Sequence, residues 1–300
     1  MKAFIAQPTA AEIKFSTYLF YLESISRFLD LQYGDWDGLA LACATKVKAL
    51  APLPTFDQTY VERHLRLAWN TECLLYSGPD DIDLMRIANQ WAPVQAYYAV
   101  YTAGEALAYL LDGIQIGAHK KTLRKLTEHL IKTGLPPWNH AYRGPIGKPP
   151  GQQKPVNLPA DLALPSNLQR QNVRPIQMLA KCLKAEHGHR VDDNWKKRPR
   201  QYKYKFDPGP TGLLHFLYRL RLKSNYKEVD LFIARAQNHE VKAFADHLRR
   251  FTSATLTCFE IAVARKSSKK ALLDAATAYL KDNKAAKSLE ARARSYDALL

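Results

Sequence analysis

An all-α fold is predicted for this chain by three observations. Apolar residues recur at helical spacing in segment after segment, no strand-like alternation bounded by turn residues repeats, and the periodic segments stop at Gly or Pro. Residues 10–32 repeat apolar positions through Ile13, Leu19, Leu22, Ile25 and Leu29. Asp37 is placed to cap a short helix through Val47 and Leu50, ended by Pro52 and Pro54. Residues 57–77 carry Val61, Leu65, Leu67, Ala68 and Leu75 on or near one face, and Ser77-Gly78-Pro79-Asp80 reads as a stop followed by a start. A long helix over 81–111 holds Pro93 as an expected kink and ends at Asp112-Gly113. Leu123, Leu126 and Leu130 place a helix over 118–132, closed by Gly134. Further helices are expected at 175–186, at 211–223 and 227–236 with an interruption at Ser224-Asn225, and at 238–265. Residues 268–299 are rich in the helix formers Ala, Lys and Leu.

The chain has 300 residues, 47% hydrophobic and 24% charged, which excludes a wholly disordered or collagen-like polymer. No run approaches the roughly 18–20 apolar residues that cross a bilayer, and the N-terminal residues lack the apolar stretch of a secretory signal. Cys43, Cys73, Cys182 and Cys258 are scattered with no C-x-x-C pair, so a reducing, cytoplasmic setting without membrane contact is expected. The net charge is +16, unevenly placed. Residues 1–112 hold 8 basic and 13 acidic side chains, whereas 113–300 hold 36 and 15. Within that half, 135–206 has 14 basic and 4 acidic residues, and 135–210 contains 12 of the 17 prolines. A basic, proline-rich stretch reads as a long loop or insertion, ordered on binding.

The segment AYYAVYTAGEALAYLLDGIQIGAHKKTLRKLTEHLIKTG, residues 96–134, resembles the HEPN superfamily. The resemblance lies in Tyr97, Tyr98, Ala99 and Tyr101, in the small-residue and leucine run from Leu107 to Gly113, and in His119 and His129. Downstream, LYRLRLKSNYKEVDLFIARAQNHEVKAFADHLRRFTSATLTCFEIA is similar to the family's Arg-containing turn, following Tyr and last long helix. Five parts are then expected: a helical extension over 1–56, bundle parts over 57–134 and 211–265, the basic insertion 135–210 between them, and a basic C-terminal helix over 266–300. The resemblance implies a HEPN-like helical bundle, often dimeric, that binds or cuts RNA in prokaryotic defence or toxin–antitoxin systems. Residue chemistry alone reads Tyr97, Val100, Tyr101, Leu107 and Leu111 as a core stripe, with Gly104 allowing a neighbouring helix close approach.

In catalytic members of that family an Arg holds the scissile phosphate, a His a few residues later shuttles a proton, and the RNA 2′-hydroxyl attacks without a metal. Guanidinium offers a fixed fork to phosphate and imidazole titrates near neutral pH, so the residue types suit the task. One such spacing occurs, Arg124 to His129, but roughly one or two such matches arise by chance from 19 Arg and 9 His. In the later turn the chain reads Arg219-Leu-Arg221-Leu-Lys-Ser-Asn225-Tyr226, with Asn225 where a His belongs. The candidate catalytic residues are Arg124, His129, Arg221 and Tyr226, with Arg219 and a His from elsewhere as further members. A degenerate centre is expected, an active ribonuclease is the alternative, and a purely structural helical adaptor is a third reading.

The stronger binding signal is NWKKRPRQYKYKF, residues 194–206. Lys196, Lys197, Arg198, Arg200, Lys203 and Lys205 interleave with Trp195, Tyr202, Tyr204 and Phe206. Cations release counterions from phosphates, and rings stack on unpaired bases at about 1–3 kcal/mol each. In an extended chain, Gln201 to Phe206 would send rings and charges to opposite sides. Nucleic acid is therefore the expected partner, and the resemblance adds RNA as its kind and a second copy of the chain or a larger protein assembly as further partners. The charges of the C-terminal stretch, such as Lys281 and Arg292, read as a solvated helix face. His187 and His189 lack the helical His pair or Cys support of a metal site, and GPIGKPPG lacks the Lys-Ser/Thr ending of a phosphate loop, so no cofactor or metal is expected.

Overall fold

The computed structural model describes residues 9–51, 55–113, 115, 117–147, 153–166, 173–227 and 237–299. The helices are α1 (Ala10–Tyr33), α2 (Trp36–Lys46), α3 (Gln58–Tyr76), α4 (Ile82–Asp112), α5 (His119–Thr133), α6 (Pro175–Lys197), α7 (Leu213–Leu222), α8 (Asn238–Lys266), α9 (Lys269–Asp282) and α10 (Lys287–Leu299). The chain is an all-α bundle, as its periodicity predicted, and no helix among the described residues is long and apolar enough to cross a membrane. The cysteines are free thiols.

Helix α8 is the axis of the bundle. Residues 251–264 are buried without interruption, the signature of a helix surrounded by others. It packs against α4, α1 and α2. Thr252, Thr255 and Thr257 satisfy their hydroxyls on carbonyls one turn back, so polar residues sit in this core without loss. Gly104 on α4 lets side chains of α5 and α8 approach its backbone. A Cβ there would stand 2.6 Å from Leu126 Cδ1 and 3.3 Å from the Phe259 ring, which confirms the close approach expected of it.

Boundaries follow capping chemistry. The Thr9 hydroxyl accepts from the Glu12 amide while Glu12 accepts from the Thr9 amide, closing the N-terminus of α1. Asp57 and Asp81 cap α3 and α4 through side-chain oxygens, and α4 ends on Gly113 in the left-handed conformation at φ 68°. The cap of α2 is Asp35, not Asp37, because its carboxylate accepts from the Gly38 amide.

The segment 135–210 is corrected most. The helix expected at 175–186 is the 23-residue α6, which runs on to Lys197 and is begun by Pro175 at a position where a missing N–H costs nothing. The segment also forms two three-residue strands, β1 (Ala141–Arg143) and β2 (Lys154–Val156), paired antiparallel. Trp138 is buried and donates to Thr255 Oγ1 at 3.1 Å, so this stretch belongs to the core. The expected single C-terminal helix is two, α9 and α10. The helix expected at 227–236 lies almost wholly outside the described residues. α7 instead runs into a π-helical turn, Lys223–Lys227, at the expected interruption.

Candidate functional site

Helix α4 presents Tyr97, Tyr98 and Tyr101 at helical spacing, α7 presents Tyr218 and Arg221 one turn apart, and α5 opens on His119. Packing of α4 against α5 and α7 brings these six side chains together. Tyr97 and Tyr101 stack at 5.5 Å, and His119 lies 4.4 Å from the Tyr101 ring. The Tyr97 hydroxyl and His119 Nδ1 are 2.8 Å apart. Arg221 donates to the Tyr98 hydroxyl at 2.8 Å, and its guanidinium carbon stands 5.2, 4.9 and 5.8 Å from the Tyr97, Tyr98 and Tyr218 ring centres. Each such contact contributes on the order of 1 kcal/mol. Arg221 is only 9% exposed, and its Nε has no hydrogen-bond partner among the described residues.

The electrostatics favour an uncharged imidazole. Burial lowers the His119 pKa and the neighbouring Arg221 lowers it further, against an opposing pull from Glu105. Burial raises the Tyr97 and Tyr101 hydroxyls above their ordinary range, and Tyr101 donates to Glu105 at 2.6 Å. Near neutral pH the cluster therefore presents a guanidinium beside a neutral histidine.

Next to it, across Tyr218, is a cleft of about 160 Å³ between α5, α6 and α7. Lys120, Arg190, Lys197 and Arg219 line it, with Glu186 the one carboxylate among its lining residues. Arg219 Nε lies 3.5 Å from Glu186. Arg190 donates to the carbonyls of Pro208, Gly209 (2.7 Å) and Pro210 (3.1 Å) and contacts His215 Nε2 at 3.3 Å. Burial lowers the Arg190 pKa to about 10 and holds His215 well below its usual range. His187 Nδ1 pairs with Thr211 Oγ1 at 2.8 Å.

The sequence candidates separate. Arg221 is in the cluster and Arg219 in the cleft. Arg124 pairs with Glu128 at 3.0 Å and Asp207 at 2.7 Å, while His129 pairs with Asp112 at 3.0 Å, so distinct carboxylates hold the two. The backbone of Tyr226 lies in the π-helical turn, and its side chain is outside the described residues. His119, Tyr218, Lys120 and Arg190 were not among the candidate site residues. Of these, only His119 was named among the residues that carry the resemblance.

The basic segment does not run extended. α6 continues to Lys197, and Arg200–Lys205 is a 3-10 helix, whose period of three brings Arg200 and Lys203 to one side. Rings and charges therefore do not alternate. Phe206 is buried and meets half-buried Trp195 edge-on at 5.8 Å, with Arg198 5.2 Å over Phe206 and Lys203 4.9 Å over Trp195. The Tyr202 and Tyr204 side chains lie outside the described residues. Lys196 pairs with Asp192 at 2.5 Å. Lys197 and Arg200 are exposed and form no ion pair among the described residues, Arg198 and Lys203 lie over rings, and Phe206 packs inward while Trp195 stays half-buried. Arg292 is no part of a solvated face: it is buried between Glu72 and Glu260.

No protein-family model, curated protein or solved structure matches the chain.

Proposed function

We propose that the chain binds single-stranded RNA as a divergent HEPN-like protein of a defence or toxin–antitoxin assembly. The strand would lie on the face built from the start of α5, the end of α6 with Arg200–Lys205, and α7. One observation carries the reading: Lys197 of the basic segment and Arg219 of the family-like turn line the same cleft, and Tyr218 joins that cleft to Arg221 and His119. Two motifs read separately thus share one surface. Cations there neutralise phosphates, and Tyr218 and Trp195 offer ring surface to bases or sugars.

The test is a salt titration of fluorescent single-stranded RNA. Each neutralised phosphate contributes about −0.7 to the slope of log K against log salt, so Gln at Lys196, Lys197, Arg198, Arg200, Lys203 and Lys205 is expected to flatten it by up to roughly 4. Salt-insensitive binding, or none by the parent protein, overturns the reading.

The pairing of Arg221 with His119 favours a second reading, metal-independent cleavage. In this reading His119 would take the role that a His at position 225 would have. With its proton on Nδ1, toward Tyr97, the imidazole leaves Nε2 free to take the proton of a 2′-hydroxyl. The 2′-oxygen would then bond to phosphorus as the bond to the 5′-oxygen breaks, leaving a 2′,3′-cyclic phosphate, while Arg221 steadies the phosphate oxygens. Cyclic-phosphate ends formed in the presence of chelator and lost in His119→Ala would establish this reading; intact RNA leaves binding alone.

A second copy of the chain has a surface of its own to dock on. Leu67 and Leu74 of α3 and Leu84, Ile87 and Trp91 of α4 are 42–62% exposed on one helical hairpin. Under a two-fold axis across the hairpin, the Arg63–Arg66 end of one copy meets the Asp80–Asp83 end of the other. Sedimentation is expected to show a dimer that Trp91→Glu dissociates; a monomeric parent contradicts it.

A further inference from the structure

The cleft carries more positive charge than an internal phosphate needs. Lys120, Arg190 and Lys197 line it without an ion pair among the described residues, and Arg219 stands 3.5 Å from Glu186. The phosphodiester inside a strand brings a single negative charge. A terminal phosphate monoester brings a charge approaching −2 near neutral pH, and three acceptor oxygens. A low-dielectric floor magnifies that difference, because each cation is costlier to leave uncompensated there. Burial already lowers the Arg190 pKa to about 10, so a dianion beside it restores what burial removes.

Shape points the same way. The floor is closed by His215, which is buried, and by Arg190, whose terminal nitrogens are held by the carbonyls of residues 208–210 and by His215. The cleft, about 160 Å³, is large enough for a phosphate group and part of a ribose. Arg190 Nε is buried and its terminal nitrogens are occupied, so Arg190 acts on the cleft through its charge. Tyr218 forms the wall toward Arg221, where the next nucleotide would lie.

The geometry points to a site for the phosphorylated end of an RNA, the cleft holding the terminal phosphate monoester and the Arg221–His119 cluster the adjoining nucleotide. This inference rests on the RNA-binding reading. A 5′-phosphate and a 3′-phosphate share the chemistry, and binding measurements distinguish them.

The full chain is titrated with one single-stranded RNA sequence in three forms: 5′-phosphorylated, 3′-phosphorylated and with hydroxyls at both ends. One phosphorylated form is expected to bind about tenfold more tightly than the hydroxyl form. That preference is expected to vanish in the Lys120→Gln, Arg219→Gln double variant, which weakens the phosphorylated form about tenfold more than the hydroxyl form. Circular dichroism confirms that the variant is folded. Equal affinity for all three forms overturns the terminal-phosphate site and leaves the RNA-binding reading standing. A preference that survives the double variant places the end elsewhere and also overturns it. No binding of any form overturns both.

Discussion

Arg292→Ala is expected to lower the free energy of unfolding by about 3–5 kcal/mol, because it strands two carboxylates inside the bundle. Arg292 is 2% exposed, donates to Glu72 at 2.7 and 2.8 Å and to Glu260 at 3.1 and 3.0 Å, and ties α10 to α3 and α8. The acids have other donors: Ser253 and Ser288 reach Glu72 at 2.6 and 2.9 Å, while Trp69 and Tyr296 reach Glu260 at 2.8 and 2.5 Å. Burial pushes the Glu72 carboxyl up, but Arg292 more than offsets it and the net pKa is lowered. Removing the guanidinium leaves those donors yet takes away the charge that keeps Glu72 ionised and that pairs with Glu260. Denaturant unfolding reads the loss. Arg292→Lys retains the charge without the bidentate fork, so it is expected to fall between parent and alanine variant. A loss under 1 kcal/mol in Arg292→Ala contradicts the role assigned to this cluster.

Acid is expected to destabilise the protein well before its carboxylates titrate. Burial lowers His140 and His187 to about 4 and holds His215 well below its ordinary range, whereas an unfolded histidine titrates near 6.5. Between those values the unfolded chain binds protons that the native chain refuses, so stability falls as the pH drops from about 6.5 toward 4 and is unaffected by these groups above it. Each histidine contributes up to about 1.4 kcal/mol per pH unit in that window. Denaturant midpoints at pH 7, 6 and 5 are expected to fall steeply, and less so in His140→Gln. Midpoints unchanged to pH 5 contradict the buried, neutral state of these rings.

Much of the bundle was legible because its helices are long and amphipathic with conventional ends. Asp57, Asp81, Gly113 and Gly134 mark boundaries found within a residue or two. Helix α6 was read short because Gly188, two flanking histidines and a charged tail mask its periodicity, and packing against α1 stabilises what local preference does not. The Gln201–Phe206 stretch alternates with period two, yet Pro199 leads into a 3-10 turn whose anchor is the buried Phe206.

The site was legible in parts. Arg221 and the basic segment carry local patterns, whereas the pairing of His119 with Arg221 joins helices far apart in sequence and has no spacing to read. The same holds for Glu72, Glu260 and Arg292. The Arg124–His129 spacing is a product of charge density: Asp207 and Asp112, from outside α5, decide what those side chains do.

Photo-crosslinking of a 4-thiouridine-substituted single-stranded RNA, with the attached peptides mapped by mass spectrometry, locates the bound strand most directly. Crosslinks are expected at Trp195, Tyr218 and His119 and in the peptides bearing Lys197 and Arg219. Crosslinks confined to α9 and α10, or to the α3–α4 hairpin, would contradict an RNA-binding face built from α5, α6 and α7.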